Sequence, residues 1–172
     1  MRVFLDFEAS SLSKTSYPIE VGWVFEDGRA EGHLIKPASG WTDWDERAAA
    51  IHGITQEQLA REGRPHDEVC RLLVAALAGH ALYARSPSWD GKWLSVLLRS
   101  AGYPRHLLRL QDCKEAFFEA ARDRLGDGAS ASTIEFLVAK AREVVEAWPP
   151  GHRAVADAQR EWEIWKAIVE QG

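Results

Sequence analysis

An α/β fold with a mixed sheet is what this sequence predicts, and three observations carry it. Three segments of strand-forming residues, Val3–Leu5, Ile19–Phe25 and Arg29–Ile35, follow one another through short loops, as in an antiparallel meander. Segments of helical periodicity fill most of the chain after Thr55. Among them lies one short apolar run, Ala81–Ala84, of strand length and predicted to be central in the sheet. Strands first and helices later make a layered α/β domain.

The elements follow in order. Val3–Leu5 reads as a strand buried on both faces, and Ser10–Tyr17 as a polar loop. Pro18 opens the second strand, Glu26-Asp27-Gly28 is a hairpin turn, and Lys36-Pro37 ends the third strand. Asp43 or Asp45 can cap a short helix through Ala50, and Thr55 can cap Gln56–Glu62. Val69, Leu72, Leu73, Ala76 and Leu77 give a helix from about Pro65 that Gly79 stops. Ser88–Ala101 is the next helix, its apolar stripe being Trp89, Trp93, Val96 and Leu97, and Gly102-Tyr103-Pro104 breaks it. Leu108–Leu110 reads as a strand, Cys113–Leu125 as a helix, and Ser130 or Ser132 as the cap of a helix through Trp148. Pro149-Pro150-Gly151 ends that helix, and the last runs from Ala154 to Glu170 with Trp162, Trp165, Ile168 and Val169 inward.

The 172 residues, 46% of them hydrophobic, suit one globular domain over 1–172 with a sizeable core. A net charge of −5 argues against broad duplex binding through many phosphates, but leaves room for a local groove. A short single strand or a free end fits that balance better than long duplex. Cys70 and Cys113 are isolated, so neither a disulfide framework nor a zinc site is indicated. The longest apolar stretch, Val69–Leu82, is broken by Arg71, Gly79 and His80, and no membrane role is expected. Without a signal-peptide pattern at Met1, the expected location is cytoplasmic.

Chemistry gathers first at Asp6-Phe7-Glu8. Side chains alternate along a strand, so both carboxylates share one face and Phe7 takes the other. Two adjacent buried carboxylates repel and lose solvation, and a divalent cation with a taste for oxygen relieves both. By itself such a pair far more often marks only a strand whose polar end meets water. Asp90 falls in the first turn of a helix, where acids complement the helix dipole. His152 and Asp157 flank the start of the last helix, and they converge more easily if His152 lies in the preceding loop and Asp157 in the first turns of the helix.

Taken together and in order, these residues resemble the DnaQ-like 3′–5′ exonucleases of the DEDD type, in the branch with a histidine before the last acid. The resemblance rests on Phe4-Leu5-Asp6-Phe7-Glu8, Ile19-Glu20-Val21-Gly22, His52-Gly53-Ile54-Thr55, Trp89-Asp90 and His152-Arg153-Ala154-Val155-Ala156-Asp157. It covers nearly the whole chain and implies a ribonuclease H-like sheet. It further implies two Mg²⁺ or Mn²⁺ ions, Asp6 shared between them, Glu8 and Asp157 completing the first site and Asp90 holding the second through water. His152 would be the general base, and the products nucleoside 5′-monophosphates from a single-stranded DNA or RNA 3′ end. Phe7, Ala9, Ser10, His52, Ile54 and Trp89 would lie about the terminal nucleotide. The chain departs from the family at Ala9, where Thr commonly follows the Glu, and at Ser86, where Asn is usual. Both departures bear on substrate choice and leave the metal ligands intact.

Other residues keep two readings. Trp41 and Trp44 suit base stacking as well as core packing, and Arg85, Lys92 and Arg153 suit phosphate contact as well as solvated surface. A phosphodiesterase for short oligonucleotides and a silent binding module with the same fold are the alternatives to a nuclease. A homodimer through the Trp-rich last helix is open.

Overall fold

The computed structural model describes residues 1–147 and 151–170. Its strands are β1 (Arg2–Ala9), β2 (Pro18–Phe25), β3 (Ala30–Lys36), β4 (Arg64–Pro65), β5 (Ala81–Ala84) and β6 (Leu110–Asp112). Its helices are α1 (Glu46–His52), α2 (Gln56–Glu62), α3 (His66–Leu77), α4 (Pro87–Ser100), α5 (Cys113–Leu125), α6 (Ala131–Glu146) and α7 (Ala154–Glu170). The strands form one sheet in the order β4-β3-β2-β1-β5-β6. The first three pair antiparallel, while β5 runs parallel to both β1 and β6. The sheet is mixed, as the sequence predicts.

Alternation along β1 decides what covers each face. Val3, Leu5, Phe7 and Ala9 join Leu73, Leu77, Trp93 and Leu97 in a core with α3 and α4. Phe4 points the other way, into a second core with Phe117 of α5, Val138 of α6 and Ile164, Trp165 and Ile168 of α7. Asp6 and Glu8 extend the Phe4 face toward the start of α7. The parallel pairing of β1 with β5 ends at Phe4 and Tyr83, whereas β1 continues beside β2 to Ala9. Beyond Phe4 the strands part, and that crevice is where the acids gather.

Local chemistry fixes the helix ends. Asp45, not Asp43, caps α1 by accepting from the Arg47 N–H, and Gly53 closes it at φ 69°. Thr55 caps α2 and Ser130 caps α6 in the same way. Asp43 serves the Ser10–Tyr17 loop instead, accepting from the hydroxyls of Ser10, Ser11, Ser13 and Thr15.

Several expectations are corrected. The strand predicted at Leu108–Leu110 lies at Leu110–Asp112, because Asp112 both ends it and caps α5. β5 is interior but one strand from the edge, and β1 and β2 hold the centre. The two-residue β4 is unforeseen. The buried stripe of α4 is Asp90, Trp93, Leu94, Leu97 and Leu98, with Trp89 39% exposed. Val169 faces outward in the last turn of α7. The predicted stop at Trp148 and Pro149-Pro150 lies outside the described residues; α6 reaches Glu146.

Candidate active site

Three carboxylates meet where β1 faces the start of α7. Ligand oxygens of Asp6, Glu8 and Asp157 all lie within 4.8 Å of one another, each residue half-buried. The approach depends on glycine. Asp6 pairs with Gly22 across to β2, and Gly22 pairs with Gly32 on β3. A Cβ on Gly22 would stand 2.5 Å from the Ala154 carbonyl carbon and 2.6 Å from the Val155 Cα. Only a strand lacking side chains there lets the first turn of α7 rest on the sheet.

The start of α7 is also tied to β2. Buried Glu20 accepts from Arg153 through Nε at 3.0 Å and Nη2 at 2.6 Å, and from the Ala154 N–H at 3.0 Å. Glu20 lies opposite Glu8 in the β1–β2 register. His152 immediately precedes this clamp, exposed and outside the helix, at φ 46°, a left-handed conformation few side chains adopt. His152 thus lies in the loop before α7, and Asp157 in the first turn of that helix.

Asp90 enters from the crevice between β1 and β5. It is 3% exposed, and its Oδ1 accepts at 3.2 Å from the Phe7 N–H, a donor that β5 no longer reaches. It stands next to the tight trio rather than in it.

Burial, followed by the charges of Asp90, Glu8, Asp157 and Glu161, holds the Asp6 carboxyl well above the usual carboxylate range. Burial, with Asp157 and Glu20 adding to it, pushes Glu8 up to about 7, against the opposing pull of Arg153. Burial also pushes Asp90 up to about 7, although the backbone N–H groups of Phe7, Ser86 and Asp90 itself oppose it. Carboxylates that are this short of counter-charge, with oxygen ligands converging, fit a hard divalent cation such as Mg²⁺ or Mn²⁺. Asp6, Glu8 and Asp157 would hold it, with Asp90 adjacent.

A cleft of about 490 Å³ opens beside Glu8, lined by Phe7, Ala9, Leu12, Ile51, His52 and Arg47 among others. His52 is buried, its Nδ1 accepts from the Ile54 N–H at 3.0 Å, and its Nε2 has no partner among the described residues. Burial lowers its pKa, so the ring is held neutral. Phe7, Ala9 and His52, three of the expected nucleotide contacts, line this one cleft.

The other expected contacts fall elsewhere. Ile54 is fully buried with Tyr17, Ile19 and Leu59, on the inner side of the turn. Ser10 is 1% exposed, its hydroxyl taken up by Asp43 and by the Tyr17 N–H. Trp89 lies outside the cleft lining, stacked on Trp93 with ring centroids 5.6 Å apart. Trp41 stacks on Tyr17, and Trp44 meets His52 edge-on. All three candidate phosphate contacts have protein partners: Arg153 binds Glu20, Arg85 approaches Glu161 at 3.8 Å, and Lys92 binds the Ser13 carbonyl and Ser16 hydroxyl.

Sequence reasoning overlooked Leu12, Ile51 and Arg47 on the cleft and the buried acid Glu161, and it gave Glu20, quoted with its motif, no role of its own. Glu161 is 5% exposed and one of its oxygens has no hydrogen-bond partner among the described residues. Its signal was available: Ala154, Ala158, Glu161, Trp165 and Ile168 recur at helical spacing, and four of the five are apolar.

No protein-family profile matches the chain, and no curated protein does either. Solved structures do. An exonuclease I from Methylocaldum szegediense superposes with a TM-score of 0.72 at 16% identity over 99% of this chain and 40% of that one. E. coli exonuclease I in complex with a dT13 oligonucleotide gives 0.69 at 14% identity over 99% and 41%. A zinc-bound complex of the E. coli enzyme with single-stranded DNA gives 0.66 at 16% identity over 94% and 38%. The fold is ribonuclease H-like. The chain spans about two fifths of the length of these exonucleases, and at such identity the likeness shows the ribonuclease H-like fold alone.

Proposed function

We propose that this protein is a metal-dependent 3′–5′ exonuclease acting on single-stranded nucleic acid, of the DEDD type with a histidine base. The observation that carries the reading is the convergence of Asp6, Glu8 and Asp157 within 4.8 Å beside an open cleft, with Asp90 anchored next to them. Structural likeness to exonuclease I, solved with single-stranded DNA, supports the same reading.

Two divalent cations, Mg²⁺ or Mn²⁺, would supply a water acidified for attack and charge stabilisation at the scissile phosphate. Asp6, Glu8 and Asp157 would hold one, and Asp90 would help to hold the other. The cleft beside Glu8 receives the terminal nucleotide, with Leu12 and Ile51 offering apolar surface to its base. His152, in the loop before α7, takes the proton from the attacking water and passes it to solvent. The Glu20–Arg153 clamp fixes the start of α7, from which Asp157 meets Asp6 and Glu8 of β1. Nucleoside 5′-monophosphates leave.

Digestion of 5′-labelled single strands of DNA and RNA, at two lengths, with Mn²⁺ or EDTA, tests this reading. A metal-dependent ladder shortening from the 3′ end is expected. Intact strands in Mn²⁺, with wild-type Mn²⁺ binding by calorimetry, would rule out the nuclease. Hydrolysis restricted to the shortest strands would make it a short-oligonucleotide phosphodiesterase.

A further inference from the structure

The charge of this chain is unevenly spread. It carries 26 acids against 21 Lys and Arg, yet from Gly91 to Leu110 there is no acid at all. Within that stretch stand Lys92, Arg99, Arg105, His106 and Arg109. The fold gathers most of them on one cleft of about 550 Å³, between α4 and the loop that leads to β6. Lys92, Arg105, His106 and Arg109 line it, and its lining contains no carboxylate, unlike that of the cleft beside Glu8.

Two of these cations are free. Arg105 and Arg109 are exposed, and among the described residues neither forms an ion pair with an acid. Arg105 donates to His106 Nε2 at 2.7 Å, which presents the pair as one donor surface. Lys92 differs, because its ammonium is engaged by Ser13 and Ser16 while its stem lines the cleft. In an acidic protein, uncompensated guanidinium groups over a concave surface attract polyanions and hold phosphates in bidentate fashion.

The cleft adjoins the acid site. The first turn of α4 sends Asp90 into the crevice, and Pro87 and Gly91 of the same turn line the cleft, so one helical turn borders both.

We infer that the cleft between α4 and the 104–109 loop binds the phosphodiester backbone of a single-stranded substrate upstream of its 3′ end. This rests on the nuclease reading and adds the path of the strand: Arg105 and Arg109 hold phosphates that a dinucleotide does not possess. Substrate length is therefore read here, away from the metal ligands.

The test is binding of a fluorescent single-stranded 12-mer in EDTA, followed by anisotropy over a range of salt, with hydrolysis of dinucleotide and 12-mer measured in Mn²⁺. Wild type is compared with Arg105→Glu/Arg109→Glu and with Arg61→Glu/Arg71→Glu, an equal charge change on α2 and α3. The cleft variant is expected to bind the 12-mer roughly tenfold more weakly and to lower the log–log salt slope by about 1–1.5. Its dinucleotide kcat/KM stays at the wild-type value, and the control variant binds nearly as wild type. Equal weakening in both variants would reduce the effect to net charge and overturn the inference, as would an unchanged cleft variant or no 12-mer binding by wild type. Cleft-dependent binding without hydrolysis of either strand would leave the inference standing and remove the nuclease reading instead.

Discussion

Arg153 grips Glu20 across the sheet, with its Nε and Nη2 both within 3.1 Å of the buried carboxylate, while the Ala154 N–H takes the same group at 3.0 Å. The contact joins residues 133 apart and sets where α7 begins relative to β2. Since Glu8 lies opposite Glu20, and His152 and Asp157 flank the clamp, one ion pair positions both halves of the site. Glu20→Leu leaves Arg153 and the Ala154 N–H without their acceptor. With the guanidinium side chain 46% exposed, water compensates in part, so a loss of about 1–3 kcal/mol is expected in urea unfolding. Hydrolysis should fall further than that of an equally destabilised core variant such as Ile168→Val. Matched activities would mean that the clamp serves stability only.

Asp157→Asn removes one of three mutually repelling carboxylates. Asp157 raises the pKa of both Asp6 and Glu8, so its neutralisation relieves the metal-free protein. The metal-free melting temperature should hold or rise by about 2–4 °C, the equivalent of about 1 kcal/mol in a domain of this size. The rise on adding Mn²⁺ should vanish, and hydrolysis should drop at least about 10²-fold. Differential scanning fluorimetry with and without Mn²⁺ gives the first two, and a wild-type metal response in this variant would remove Asp157 from the ligand set.

Acidity gives a third expectation. Glu8 and Asp90 have folded-state pKa values of about 7, against about 4 in an unfolded chain. The folded state therefore binds their protons more tightly. The stability they contribute is complete below about pH 4 and is lost as pH rises through about 7. The metal-free protein should melt lower at pH 8 than at pH 5, and much of that difference should disappear in Glu8→Gln/Asp90→Asn. Metal needs these groups deprotonated, so the stabilisation by Mn²⁺ should grow over the same range. A metal increment that stays constant from pH 5 to 8 would mean the acids are already ionised.

What the sequence discloses about this molecule follows the range of its physics. Asp6 and Glu8 were legible as a pair because a strand alternates with period two, whatever the rest of the chain does. The limits of α5 and α7 were legible from caps and periodicity, which are local. Ile54 misled because a motif gives a neighbourhood, not the side of the turn on which a side chain lies; here it is the core side. Trp89 and Asp90 exchanged places for a similar reason. An aromatic residue outweighs an acid in any apolar stripe, but the free Phe7 N–H at the parting of β1 and β5 draws Asp90 inward. Contacts across the sheet, such as Glu20 with Arg153 or Gly22 under Val155, leave no local pattern at all. The two-residue β4 is too short to have one.

Gly22 makes that last point testable. Its backbone is in an ordinary strand, so Ala fits the local conformation, and only the α7 backbone objects. Gly22→Ala should push the first turn of α7 off the sheet at a cost of about 1–3 kcal/mol or more, as over-packing does. Gly40→Ala, where the added carbon meets nothing within 4 Å, is the control and should be near neutral. If Gly22→Ala melts like Gly40→Ala and keeps its Mn²⁺ response, close seating of α7 on β2 is not what brings Asp157 to Asp6.

His152 is the residue whose role separates metal binding from turnover. It stands outside α7 and outside the carboxylate trio, so His152→Ala should leave the Mn²⁺ isotherm close to wild type. Loss of a general base slows the chemical step by about 10²–10⁴-fold. Single-turnover cleavage of a labelled strand reads that step without product release, and an external imidazole buffer should restore part of the rate. An unslowed His152→Ala would assign the proton to bulk solvent. A slowed variant with weakened Mn²⁺ binding would make His152 a prop for α7, because a base that only takes a proton has no hold on the metal.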